Sequence, residues 1–133
     1  MITMPILPLV TARRWVGLTS GLLLVWLVAG EACARQEASV PAEFQTGETK
    51  FKANCVRCHG ERGVGTSQGP PLVHKIYEPN HHGDATFQRA AANGVRAHHW
   101  QFGDMPKIDG VTPDDVDQII KYVRWLQRQA GIM

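Results

Sequence analysis

The spacing of apolar positions in residues 112–130 predicts one long amphipathic helix. Apolar side chains recur there every three or four residues, at Val116, Ile119, Ile120, Val123 and Leu126. The segment opens on Thr112-Pro113-Asp114-Asp115, which is typical of a capped helix start, and closes near Ala130-Gly131. No stretch of the chain alternates apolar and polar residues with a period of two, so the pattern predicts an all-α fold.

A shorter helix is predicted at residues 46–54, where Phe51 and Ala53 supply apolar contacts. Gly47 precedes Phe51 by one helical turn and leaves room for a second helix to cross closely. Residues 35–41 are polar and show no periodicity, and residues 35–45 are expected to form a flexible tail.

Another helix is predicted at residues 84–93, with Asp84 as its N-cap and Gly94 just beyond its end. It carries one apolar stripe, formed by Phe87, Ala90 and Ala91. The glycines within residues 60–69 indicate a tightly bending loop. These segments together predict one folded domain at residues 46–131.

The N-terminal segment has the layout of a secretory signal peptide. Arg13-Arg14 form a positive region, residues 15–30 form an uncharged apolar run, and Ala32-Cys33-Ala34 suits cleavage by signal peptidase. Cleavage would remove residues 1–34 and predicts export to the periplasm. The apolar run has 16 residues, whereas a membrane span usually needs about 17–25. An uncleaved anchor on the periplasmic face of the inner membrane is therefore the second interpretation.

The charge of the exported chain is nearly balanced. Arg13 and Arg14 are two of the 14 basic residues, and Glu31 is one of the 12 acidic residues, so residues 35–133 carry a net charge of +1. This balance gives no reason to expect a nucleic-acid partner. Contact with a membrane is expected only if the N-terminal segment is retained as an anchor.

The chemistry of the chain is concentrated in Cys55-Val56-Arg57-Cys58-His59. Two cysteines separated by two residues and followed by histidine form the attachment motif of a c-type haem. Each thiol can add to one vinyl group of the porphyrin, and His59 can then bind the iron. A zinc half-site and a redox dithiol are the alternatives, but the only other cysteine, Cys33, falls in the leader. The motif predicts one covalent haem c per chain, held by Cys55 and Cys58.

The haem iron of an electron carrier has a second axial ligand, for which Met105 is the leading candidate. Met105 lies in a turn-rich, proline-stiffened segment, far enough from His59 for the chain to wrap around the ring. A lone methionine is also a common core filler. The other candidates are Met133, His74, His81, His82, His98 and His99. The proline pair at Pro70-Pro71 leaves carbonyl groups free, so a carbonyl at or near Pro70 is expected to accept a hydrogen bond from His59.

These features together resemble a class I cytochrome c. They comprise the cysteine-histidine motif, the Gly69-Pro70-x-Leu72 segment, Met105-Pro106 and the amphipathic last helix. The resemblance covers residues 47–130 and implies three to five short helices wrapped around one covalently bound haem.

The resemblance also implies roles for individual residues. His59 and Met105 would be the axial ligands of the iron, and Pro70 and Leu72 would lie against the cofactor. The first and last helices of that family cross, and the positions expected at the crossing are Gly47, Phe51, Ile119 and Tyr122.

Two histidine pairs, His81-His82 and His98-His99, depart from the family pattern. Their functional interpretations are an alternative axial ligand, a copper or zinc site, and a docking surface. The plainer interpretation is that they are polar loop residues or hydrogen-bond partners of the haem propionates. Trp100 and Phe102, beside the second pair, are expected to pack on the haem edge.

The sequence favours an electron-transfer protein over an enzyme. A one-electron carrier needs two firm iron ligands and an exposed haem edge, and its partners are a donor and an acceptor redox protein. A haem enzyme or sensor is the alternative and needs a labile sixth iron position. The third hypothesis is an electron-transfer subunit with an additional metal site at the histidine pairs.

Overall fold

The computed structural model describes residues 39–133, so the signal peptide predicted at residues 1–34 lies outside the described residues. Four helices follow one another: α1 Ala42–Asn54, α2 Val56–His59, α3 Asp84–Asn93 and α4 Pro113–Gln129. Two single 3₁₀ turns, Glu61–Gly63 and Lys75–Tyr77, lie between α2 and α3. The described residues contain no strand, only one isolated antiparallel bridge, and the all-α prediction is confirmed. None of these helices is both long and apolar enough to span a bilayer.

The first helix is longer than predicted, because it begins at Ala42 rather than at Thr46. The end of the expected tail 35–45 is therefore helical. Phe44 explains the difference, since its ring stacks on Trp125 of α4 with the ring centroids 5.7 Å apart. Such a contact between distant segments stabilises an extra helical turn that local pattern does not reveal. Ala53, which was expected to pack, is exposed.

Helices α1 and α4 cross at Gly47. A Cβ atom at Gly47 would overlap the carbonyl oxygen of Gln118 and lie 2.8 Å from the Cβ atom of Tyr122. Only glycine therefore allows the two backbones to approach this closely. One turn later Phe51 packs on Tyr122 with ring centroids 5.6 Å apart, and both side chains are fully buried. The crossing implied by the resemblance is confirmed.

The hydrophobic core is built mainly from α4. Its buried members are Phe51, Leu72, Ile119, Tyr122, Val123, Trp125 and Leu126. Burying one such large side chain contributes about 1.5–3 kcal/mol relative to exposure. Since only Phe51 and Leu72 come from outside α4, the last helix fixes the positions of the segments that pack around it.

The start of α4 is capped as the sequence predicts. Thr112 Oγ1 accepts a hydrogen bond from the Asp115 backbone N–H at 3.2 Å, and Asp115 Oδ2 accepts one from the Thr112 N–H at 3.1 Å. The other carboxylate oxygen of Asp115 lies 2.9 Å from Lys50 Nζ of α1. The cap therefore also ties α4 to the first helix.

The start of α3 differs from the prediction. Gly83 occupies the N-cap position, and Asp84 is the first helical residue. The Asp84 carboxylate does not cap the helix, because it accepts a hydrogen bond from Arg124 Nε of α4 at 2.8 Å. Gly94 ends the helix as predicted, with a φ of 76° that few other residues adopt readily.

Candidate functional site

A cavity of about 570 Å³ opens beside the cysteine-histidine motif. This volume lies within the range of about 300–1,000 Å³ that is usual for cofactor and ligand sites. Five residues predicted to bind a cofactor line it: Cys55, His59, Pro70, Leu72 and Met105. Cys58 is half-buried immediately before His59 but does not line the cavity itself.

The motif turns helically, as attachment to a ring through both cysteines requires. Cys55 follows the end of α1, and its carbonyl oxygen accepts a hydrogen bond from the His59 N–H at 2.9 Å. The following loop packs tightly against this turn at Gly69. A Cβ atom at Gly69 would lie 2.9 Å from the carbonyl oxygen of Cys58 and 3.0 Å from its Cβ atom. Glycine at this position therefore lets the loop return over the motif.

His59 is held in one orientation by the loop. Its side chain is buried, and its Nδ1 atom donates to the carbonyl oxygen of Pro70 at 2.8 Å. Because a carbonyl can only accept, the proton is on Nδ1 and the lone pair of Nε2 remains available to a metal. Burial lowers the pKa of His59, and the bond to Pro70 opposes this only in part. The neutral form, which binds iron, is therefore favoured.

The environment of Cys55 does not favour a reactive thiol. Burial, and secondarily the neighbouring Cys58, raises the pKa of the Cys55 thiol to about 11. Redox-active thiols instead have a lowered pKa. Neither Cys55 nor Cys58 forms a disulfide. Within residues 39–133, the cluster of three side chains that could hold a metal ion contains neither of these cysteines.

Met105 is fixed beside the end of α3 by its backbone. Its N–H and carbonyl groups pair with those of Val95 in two hydrogen bonds of 2.9 Å. Gly94 permits this approach, since a Cβ atom there would lie 2.5 Å from the Met105 carbonyl oxygen. The half-buried Met105 thereby lines the same cavity as His59.

A sequence model of the family described as Cytochrome c matches residues 44–127, which is more than half of the chain. The chain belongs to the cytochrome c family. It carries haem c bound covalently through Cys55 and Cys58 and acts as a haem-based electron carrier. Comparison with curated proteins and with solved structures finds no further match.

Several residues that line the haem cavity of this cytochrome c were not singled out as site residues by the sequence. The apolar stripe of α3 faces the cavity, and α4 adds Val116 and Ile119. The signal in the sequence was Ala90-Ala91, because small side chains at the centre of an apolar stripe cannot fill the space beside a helix. A flat cofactor fills such a space.

Trp100 provides a further test of whether haem fits the cavity. Its indole Nε1 is buried and forms no hydrogen bond of normal geometry within the described residues. Burial raises the pKa of Tyr77, and the nearby Trp100 indole opposes this rise only in part. Trp100 lines the cavity, as does Phe102. A buried N–H donor beside largely apolar walls suits a ring that carries carboxylate side chains.

Proposed function

We propose that this cytochrome is a periplasmic one-electron shuttle in which His59 and Met105 bind the haem iron. The observation that carries the proposal is the shared cavity, which is lined by the attachment residue Cys55, by an imidazole with a free Nε2 and by a thioether. Two protein ligands of this kind would hold the iron from both sides, His59 oriented by the Pro70 carbonyl and Met105 by its backbone pairing with Val95, and would leave no position for a substrate.

The bound haem supplies a single iron that exchanges one electron. Met105 would raise the reduction potential, because a thioether donates weakly and therefore favours ferrous iron. The buried surroundings would act in the same direction, since an additional positive charge is costly in a low dielectric. Pro70 would keep the His59 ring in one orientation through its carbonyl oxygen, which limits reorganisation between the two oxidation states.

Carbon monoxide provides the first test. The visible spectrum of the purified ferrous protein should not change when carbon monoxide is added, because both axial positions are filled. A clear shift would mean that the sixth position is vacant or labile. That result would overturn Met105 ligation and favour the haem enzyme or sensor, for which the cavity-lining His82, His98 and His99 would be acid–base candidates.

Export and partners are part of the same proposal. Cleavage after Ala34 would release a soluble shuttle between a donor and an acceptor redox protein. Mass analysis of the protein purified from its native host should then identify Arg35 as the first residue. Retention of residues 1–34 would instead indicate a carrier anchored to the periplasmic face of the inner membrane.

A further inference from the structure

Four histidine side chains from two loops meet at the haem cavity, and three of them, His82, His98 and His99, line it. His81 and His82 precede α3, and His98 and His99 follow it. The ring centroids of His81 and His99 are 5.0 Å apart, and those of His82 and His99 are 5.2 Å apart. One ligand nitrogen from each of His81, His82 and His99 lies within 4.8 Å of the other two. The fold thus brings three metal-ligating atoms together outside the haem attachment motif.

We propose that His81, His82 and His99 bind a divalent transition metal ion such as Zn²⁺ or Cu²⁺. Imidazole is a preferred ligand of both ions. Bonds of about 2.0–2.1 Å in tetrahedral geometry hold two ligand nitrogens roughly 3.3 Å apart. His81 Nε2 and His99 Nε2 are 3.1 Å apart, which is close to that spacing. Three protein ligands leave the fourth position for water.

The orientation of the His82 ring is set by a backbone carbonyl group. Its Nδ1 atom donates to the carbonyl oxygen of Ile76 at 2.7 Å, so its Nε2 atom keeps a lone pair. A ligating histidine usually makes this kind of bond, which sets the ring angle and the tautomer. The ring also packs against Tyr77, with centroids 5.0 Å apart, and is half-buried. The His82 side chain is therefore already restricted, and binding an ion would restrict it little further.

The backbone of the first loop is anchored to the core. The N–H groups of His81 and His82 both donate to the Glu78 carbonyl oxygen, at 3.0 and 2.8 Å. The carbonyl oxygen of His82 accepts from Arg124 Nη2 at 2.5 Å. Arg124 brings a positive charge close to the site, but Asp84 lies 2.8 Å from its Nε atom and offsets that charge. A site on an anchored loop requires less ordering when it binds an ion.

The second loop is held in a similar way. The Ala97 N–H donates to Asp104 Oδ1 at 2.9 Å, which closes the loop that carries His98 and His99. The His98 ring packs on His99 with centroids 4.4 Å apart and so limits its movement. Without an ion, one of the paired imidazoles, His81 or His99, donates to the other at the observed distance. That hydrogen bond would explain why His81 and His99 lie together, but it would not explain why His82 lies close to both.

Calorimetric titration with Zn²⁺ tests the proposal on the ferric holoprotein, since Zn²⁺ has no redox chemistry with the haem. One ion per chain is the expected stoichiometry. His81→Ala and His99→Ala should each weaken binding at least about tenfold, because each removes a direct ligand. Both side chains are exposed, so neither change should disturb folding.

His74→Asn is the matched control. The His74 side chain lies outside the three-histidine cluster and accepts a hydrogen bond from the Ile76 N–H. Asparagine can accept the same bond, so Zn²⁺ binding should be unchanged in this variant. A control variant that lost binding equally would point to nonspecific histidine contacts and would overturn the proposed site.

Three other results would also overturn the proposal. The first is that the unmodified holoprotein takes up no Zn²⁺. The second is equal uptake by the double variant His81→Ala/His99→Ala, since the ion would then bind elsewhere. The third is an altered visible spectrum of metal-free His81→Ala, since the His81 side chain does not line the haem cavity and a change would mean that it serves the haem. In support, Cu²⁺ added to the ferric protein should give an electron paramagnetic resonance signal with nitrogen couplings that the double variant lacks.

Discussion

Arg124 donates a hydrogen bond from Nη2 to the carbonyl oxygen of His82, 42 residues earlier in the chain. Its Nη1 atom donates to the Tyr77 carbonyl oxygen and to Gln127 Oε1, both at 2.7 Å, and its Nε atom donates to Asp84. The side chain is only 5% exposed. One planar guanidinium therefore joins α4, the loop before α3 and the first residue of α3.

Arg124→Lys should lower the free energy of unfolding by about 2–4 kcal/mol, because a single ammonium group cannot serve acceptors placed for a planar fork. Denaturant unfolding of the holoprotein, followed by circular dichroism, would measure the loss. Arg128→Lys on the same helix is the control, since Arg128 is exposed and lies over the Phe44 ring. Equal stability of the two variants would contradict the role given to Arg124.

Gly47→Ala should destabilise the protein by about 1–3 kcal/mol, because the new methyl group forces α1 away from α4. Thermal unfolding of the holoprotein would report the change. Gly83→Ala is the matched control, since a Cβ atom there meets nothing closer than the Pro79 carbonyl oxygen at 3.5 Å. If Gly47→Ala were no more harmful than the control, the helix crossing would not depend on glycine.

Met105→Ala should lower the midpoint potential, on the order of 0.1 V within the range of about 0.8 V that axial ligands span. The variant should also bind carbon monoxide in the ferrous state, because a ligand position is then open. Met133→Ala is the control, since Met133 is exposed at the C-terminus. Potentiometric titration would measure both variants, and an unchanged potential in Met105→Ala would remove Met105 from the iron.

Asp115 should make stability depend on acid pH. Hydrogen bonds from Lys50 and then from Thr112 hold the pKa of Asp115 at about 2, below its ordinary value of 3.8. A lowered pKa in the folded state contributes stability that is complete above the ordinary value and is lost as the pH falls towards 2. The stability difference between the unmodified protein and Asp115→Asn should therefore be largest above pH 4 and shrink towards pH 2.

Unfolding measured across that pH range would test this prediction. Asp114→Asn serves as the control, because it removes a carboxylate from the same helical turn and leaves the Lys50 and Thr112 contacts in place. A difference between the unmodified protein and Asp115→Asn that stays constant with pH would show that the carboxylate charge is not what stabilises the cap.

Local sequence determined the features that depend on local chemistry. The capped start of α4 and its end were both predicted from a few consecutive residues. The hydrogen bond from His59 to a carbonyl at or near Pro70 was also predicted, because the proline pair leaves carbonyl groups free to accept.

The predictions that failed depended on distant partners. Phe44 extends α1 because Trp125 meets it, and Asp84 leaves its capping role because Arg124 meets it. His81 and His99 are 18 residues apart in the chain, and the sequence named a metal site at the two pairs as one interpretation without showing that the pairs meet. The pattern of apolar residues identifies the buried face of a helix. It does not show which charged side chain from a distant segment contacts the end of that helix.

The group that accepts the hydrogen bond from His59 is a main-chain carbonyl, so this hydrogen bond is protected against mutation. Any residue at position 70 has a backbone carbonyl group that could accept the hydrogen bond from His59. Substitutions of single side chains would therefore leave this hydrogen bond in place. The Leu72 N–H donates to the Gly63 carbonyl oxygen at 2.8 Å, and Gln127 Nε2 donates to the Leu72 carbonyl oxygen at the same distance. Changing the orientation of His59 would therefore take a change in the length of this loop, so insertions and deletions here should alter the haem more than substitutions do.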